Sequence, residues 1–282
     1  MTPPTVNTQY PIDYPSRKNR HIHIAVAAVV FVEVLAFVYF YLRNPNNNPF
    51  RLITDFHHIG TLLQDMFPPN ITLLVGSWDL WINMTETLSM AFLGTLAGGF
   101  LAFVICFFAA GNTTPYPFLK PCARGLLAVL RVAPDYAIML IIVIAVGFGP
   151  FAGTLAITVG STGMFGKFFA DAVEHVDIRE RDGVKVVGSD WFQTIRYGIV
   201  PQVLPSFVAN LCFFFELNLG AAIALGVFGG GGLGFHLNIA NDSLNYKDMF
   251  AYMIVILFMR IATEFFSDRG REMIFKDGAL LR

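Results

Sequence analysis

The chain has 282 residues, of which 55% are hydrophobic and only 14% charged, with a formal net charge of −1. This scarcity of charge and the mean hydropathy of +0.58 exclude an ordinary soluble domain and describe a polytopic membrane protein. Near-neutrality also excludes a nucleic-acid partner, which would require a clustered basic excess to neutralise phosphates. The three cysteines, Cys106, Cys122 and Cys212, lie in or beside apolar runs without CxxC spacing. No disulfide framework, metal site or cofactor is therefore expected.

Taken in order, residues 1–21 form a polar, proline-dotted tail ending in Arg17, Lys18 and Arg20. Ile22 to Leu42 is an apolar run of about 31 Å at the helical rise, long enough to cross the hydrocarbon core and longer than a signal-peptide core. It is expected as the first span. Glu33 falls near its middle, where a charge is costly and requires a protein partner or a proton. Asn44 to Pro49 stops the helix, and Phe50 to Phe67 is amphipathic up to Pro68-Pro69. That segment is expected as an interfacial helix on the outer face, with His57-His58 as solvated surface rather than metal ligands.

Trp78 and Trp81 mark an interface, and Asn83 to Ala110 reads as the second span, with Gly94, Gly98 and Gly99 admitting a close neighbour. The third span is expected from Cys122 to Val146, interrupted by Pro134 between Arg131 and Asp135, which stand at i,i+4 spacing. Such an interruption is tolerated where it lines a cavity or another helix. Alternatively, the pair lies at the interface and snorkels. Phe151 to Phe169 is the fourth span. Within it, GSTGMFGK (Gly160 to Lys167) has the outline of a phosphate-binding loop but lacks the final Ser/Thr, so its small residues are read as helix packing.

Asp171 to Pro205 is a polar interval between apolar runs. Helix formers extend from Ala172 to Lys185, Gly188 breaks them, and Trp191, Phe192 and Ile195 offer apolar contacts beyond. Val203 to Val227 is expected as the fifth span, carrying Asn210, Glu216 and Asn218. FGGGGLG (Phe228 to Gly234) breaks it without the Lys-Ser/Thr of a nucleotide cradle. Asn238 to Asp248 is expected as an outer loop, Met249 to Phe266 as the sixth span, and 267–282 as a basic tail. On this path fourteen Lys and Arg fall on one side and three on the other. The positive-inside rule then places both termini and the polar interval in the cytoplasm.

The polar interval carries Asp182-Gly183-Val184, three residues, Gly188, and Pro201 thirteen residues later, followed by Pro205. This pattern resembles the EAA loop of ABC-importer permeases. RYGIVPQVLP (Arg196 to Pro205), AVGFGPFAG (Ala145 to Gly153), Phe215-Glu216 and the glycines from Gly226 to Gly234 look like the permease subunit of phosphonate importers. The resemblance implies an all-α polytopic transmembrane helical bundle of about six spans, the ABC type I importer permease fold. On this scheme residues 22–80 hold the first helix and the outer segment, 81–266 the permease transmembrane domain with a cytoplasmic coupling loop at 171–201, and the rest the two tails.

The implied partners are a second permease copy, a cytoplasmic ABC ATPase dimer and an extracytoplasmic substrate-binding protein, in the plasma (inner) membrane of a prokaryote. The implied activity is ATP-driven uptake of a phosphonate or phosphite, with hydrolysis left to the ATPase, so the chain is not itself an enzyme. Asp182, Gly183, Gly188, Trp191, Phe192 and Pro201 are the coupling candidates. Arg131, Asn210, Glu216 and Asn218 are the pathway candidates, because intramembrane polar groups mark functional sites. Two other classes are weighed. One is a proton-coupled secondary transporter of a small anion using Glu33 or Glu216. The other is an intramembrane hydrolase built on Ser161 and His236, whose histidine nothing in the sequence orients.

Overall fold

The computed structural model describes residues 17–43 and 56–280. The first sixteen residues, Asn44 to Pro49 and the start of the amphipathic stretch lie outside the described residues. Two compact units divide at Leu63 and Gln64. In the first, helix α1 spans Arg17–Arg43, covering the expected first span. None of its residues from Ile24 to Arg43 is buried. Helix α2, Phe56–Met66, follows on the later part of the expected interfacial segment.

The second unit is a helical bundle. Its elements are α3 (Ile71–Gly76), α4 (Trp78–Ala109), α5 (Leu119–Val132), α6 (Asp135–Val146), α7 (Pro150–Glu174) and α8 (Ile178–Val186). These are followed by α9 (Trp191–Gln193), a π-helical turn (Thr194–Ile199), α10 (Val200–Leu225), a second wide turn (Gly226–Gly230), α11 (Gly232–Asp242) and α12 (Tyr246–Leu280). Among the described residues four helices are long and apolar enough to cross a membrane, or five if the bent pair α5–α6 counts as one span.

Helix α7 is not among them, although its 25 residues extend about 37 Å, long enough for a crossing. Its Gly, Ser and Thr content makes it less apolar than the other spans because it lies at the centre and meets protein instead of lipid. Ala156, Ser161, Thr162, Gly163 and Phe165 are all buried. Its threonine hydroxyls return to the preceding turn, Thr158 to Thr154 O at 2.8 Å and Thr162 to Thr158 O at 2.7 Å, which pairs these polar groups within the helix.

In lipid, helices are held by close packing, which small residues permit. A Cβ at Gly94 would lie 2.6 Å from Ile157, and one at Gly98 would lie 2.6 Å from the Ser161 Cβ. The glycines of GSTGMFGK perform the same service on the opposite face. Gly163 receives the α5 backbone, where a Cβ would stand 2.5 Å from Arg131 N, and Gly166 receives Leu127.

Five expectations are corrected. The third span is two helices bent by 91°. Ala133 is extended at ψ 126°, as a residue preceding proline prefers, and α5 ends there, so Arg131 and Asp135 are not neighbours on one helical face. The helix expected from Ala172 to Lys185 breaks after Glu174 and restarts when the Asp177 side chain accepts from Arg179 N at 2.8 Å. The helix that carries the fifth span extends back to Trp191, well before Val203, since a π-helical turn accommodates the missing N–H of Pro201 and joins the two segments. Residues 238–242 of the expected outer loop are the end of α11. Finally, 267–280 continue α12, a helix of 35 residues, about 52 Å long and longer than a bilayer core.

Candidate functional site

Where α5 breaks from α6, the chain leaves a cavity of about 440 Å³ lined by Arg131, Pro134, Asp135, Ser161, Phe214 and Asn218, among others. This lies within the range of about 300–1,000 Å³ usual for ligand sites. The Asn218 amide donates to Thr95 Oγ1 and to Ser161 Oγ, each at 2.8 Å. Both of its hydrogens are thereby committed to α4 and α7, and its carbonyl oxygen is left to the cavity. Asp135 opens α6, whose N-terminal dipole favours a carboxylate, and rests against Gly160, where a Cβ would collide with Oδ1.

No salt bridge joins Arg131 to Asp135 among the described residues. Arg131 also lines a second cavity of about 490 Å³ with Arg124, Lys167 and Asp171. Three cations thus follow one another from the helix break toward the polar-interval end of the bundle. Two carboxylates, Asp135 and Asp171, stand among them, and Arg124 is paired with Glu174. Of the residues weighed for a hydrolase, Ser161 is hydrogen-bonded to Asn218 and His236 lies on α11 against Tyr252.

Of the four pathway candidates, the structure brings Arg131 and Asn218 together. Asn210 turns back to Ser206 O at 2.8 Å, and neither it nor Glu216 is among the residues lining the cavity. The Glu216 carbonyl instead accepts from Arg260 Nη1 at 2.7 Å, and the guanidinium lies beside Gly220. Thr95, Asp135 and Ser161 are the site residues that sequence reasoning did not choose. Thr95 and Ser161 carry no signal beyond membership of spans rich in Gly, Ser and Thr, whereas the Pro134 interruption beside Arg131 marks Asp135 as a position that could line a cavity.

The polar interval is a mounted structure. Helix α8 lies against the π-helical turn at Gly198, where a Cβ would stand 3.3 Å from Arg181 Cα. Gln202 ties both ends, donating from Nε2 to Gly198 O at 2.7 Å and accepting at Oε1 from Asp177 N at 3.1 Å. Gly188, at φ +83° in open space, reverses the chain. Asp190 and Gln193 then form a reciprocal cap, with bonds of 2.7 and 3.1 Å.

The outward groups are Asp182, paired with Arg181, together with Gly183, Phe192 and the valines Val186 and Val187, which are 87% and 82% exposed. Pro201 is exposed at the start of α10. Of the three apolar contacts expected outward, Trp191 and Ile195 are committed within the chain. The indole donates to Thr113 O at 2.6 Å and stacks on Phe108, and Ile195 is buried.

The turn after α4 is also tied to α7. Glu174 accepts from Gly111 N at 2.6 Å and pairs with Arg124 at 2.7 Å and Lys120 at 3.3 Å, while Asn112 donates to Val173 O at 2.6 Å. Gln202, on α10, thus holds the N-terminus of α8 through its bond to Asp177 N. Because its bonds are partly exposed, Gln202→Ala is expected to loosen α8 by about 1 kcal/mol. Amide exchange over residues 177–188 should accelerate roughly fivefold at that cost; unchanged exchange would show that the two bonds do not hold α8.

A central helix packed through glycines, a pair of apolar helices bent beside a charged cavity and a short helix at one end of the bundle together describe a polytopic helical membrane protein. The family model described as "binding-protein-dependent transport system inner membrane component" matches residues 94–276. The chain belongs to this family.

A putative phosphite transport system permease, HtxC of Stutzerimonas stutzeri, is 32% identical over 92% of this chain and 89% of its own length. The phosphate-import permease PhnE of Mycolicibacterium smegmatis is 36% identical over 74% of this chain and 39% of its own. Among solved structures, an inward-facing MetNI methionine ABC transporter matches with TM-score 0.60 and 17% identity over 70% of this chain and 96% of that one. A bacterial importer of alginate matches with TM-score 0.59 and 12% identity over 89% and 99%. These likenesses bear out the all-helical ABC type I importer permease fold.

Proposed function

We propose that this chain is the permease of an ATP-driven importer for a small phosphorus oxyanion, phosphonate or phosphite, moving it by alternating access while a separate ATPase hydrolyses ATP. The observation that carries the substrate class is the 32% identity to a phosphite permease across 92% of the chain. The cations Arg131, Arg124 and Lys167 along two adjoining cavities support it. In this reading Asp182, Gly183, Gly188 and Phe192 on and after α8 meet the ATPase, with Trp191 and Pro201 fixing the mount. An exposed amphipathic segment on a rigid base is suited to docking in a groove.

Two copies of the chain enclose the pathway between them, since one bundle leaves Arg131 and Asp135 half open. Both termini lie in the cytoplasm by the charge bias, and a binding protein delivers the solute on the other side. Phosphate is the second reading, favoured by the 36% identity to a phosphate-import permease.

Vesicles holding permease, ATPase and binding protein, with ATP on the α8 side, are expected to take up labelled phosphonate or phosphite and to ignore an amino acid. Uptake of phosphate alone selects the second reading. Uptake driven by a proton gradient without ATP overturns the importer in favour of a proton-coupled carrier.

A further inference from the structure

The cavity at the α5–α6 break offers more than a positive charge. A bare oxyanion has only acceptors and is best met by donors alone. Here the donors are the Arg131 guanidinium and the Ser161 hydroxyl, whose oxygen already accepts from Asn218 and whose hydrogen is left to give. The same cavity also presents two acceptors, the Asp135 carboxylate and the carbonyl oxygen of Asn218, whose amide hydrogens are spent on Thr95 and Ser161.

Asp135 and Arg131 do not neutralise each other among the described residues. The 91° bend points α5 and α6 in different directions and separates two residues that one helix would have paired. Gly160 makes room for the carboxylate, so the acceptor is built into the packing of α7. A solute satisfying both ends must be anionic at one end and donate hydrogens at the other.

We infer that the permease carries its own site for a zwitterionic aminoalkylphosphonate, with the phosphonate at Arg131 and Ser161 and the ammonium at Asp135 and Asn218. Asp135 is then a specificity-determining residue, disfavouring fully ionised dianions and alkylphosphonates that lack the ammonium. This rests on the proposed function and assigns the solute within its class.

The test uses the permease–ATPase complex in lipid nanodiscs without binding protein, titrated with 2-aminoethylphosphonate and with ethylphosphonate, bound fractions being read by phosphorus NMR. A charge pair of this kind is expected to favour the amine-bearing solute by about tenfold. Asp135→Asn should reduce that preference to roughly twofold or less, and Asp135→Glu should retain most of it. Retention by the Glu variant separates loss of charge from loss of fold.

Equal affinity for the two solutes, equal losses of both in Asp135→Asn, or binding of neither would each overturn the inference. In parallel, the complete system with binding protein is assayed for uptake of both solutes and of phosphite. Uptake there without a preference in the nanodisc assay sinks this inference alone, whereas absence of uptake of every phosphorus oxyanion sinks the proposed function.

Discussion

Arg131→Gln is expected to lower ATP-dependent uptake by about a hundredfold with the subunits still assembled. Arg131 is the cation shared by both cavities on the proposed route, with Asp135 and Asn218 on one side and Arg124, Lys167 and Asp171 on the other. Removing the charged partner of a desolvated ion costs about 2–5 kcal/mol, and the lower part of that range applies because Arg131 is exposed within a single chain. A loss near 2.7 kcal/mol corresponds to about two decades in rate.

Arg131→Lys keeps the charge without the planar fork and should recover part of the rate. The measurement is initial uptake in vesicles against ATP hydrolysis by the same complex. Wild-type uptake in Arg131→Gln would remove this residue from the pathway.

Gly163→Leu is expected to prevent the bundle from forming. A Cβ at that position would lie 2.5 Å from Arg131 N and 2.7 Å from the Leu130 carbonyl carbon, both of them backbone atoms that no rotamer change can move. Overpacking costs typically about 1–3 kcal/mol when side chains can give way, and backbone against backbone leaves no such relief. The α5–α7 contact would open, taking the Arg131 end of the cavity with it.

Gly125→Ala, on the same α5 helix but facing open space, is the control and should be neutral or gain slightly from helix propensity. The readouts are recovery of monodisperse protein in detergent and its thermal midpoint. Equal recovery of the two variants would show that α5 does not depend on Gly163 for its seat.

Much of the architecture was written in local chemistry. Alternating apolar runs and polar stops marked the crossings, and the tryptophans at 78 and 81 stood at the start of α4. The pattern from Asp182 to Pro205 falls on the short helix α8 and the start of α10. Small residues in GSTGMFGK were legible as packing, because a failed nucleotide loop in an apolar run has little other use. The role of Gln202 was not legible. A glutamine between two prolines carries no pattern, and its two bonds exist only because α8 folds back upon the start of α10.

The sequence by itself determined that the chain is a helical membrane protein, which of its stretches are apolar enough for lipid, and where proline and glycine must interrupt them. These are properties of single residues and their near neighbours, set by transfer free energy and allowed backbone angles. Tertiary structure decided which polar groups share a cavity. Arg131 and Asp135 were read as an i,i+4 pair until the break at Pro134 turned α6 through 91°, and four intramembrane candidates reduced to Arg131 and Asn218, joined by Asp135 and Ser161. The direction of a side chain within a bundle depends on which helix faces meet, and that is fixed by steric contacts such as Gly160 against Asp135 and Gly163 against Arg131, between residues 25 and 32 positions apart in the chain.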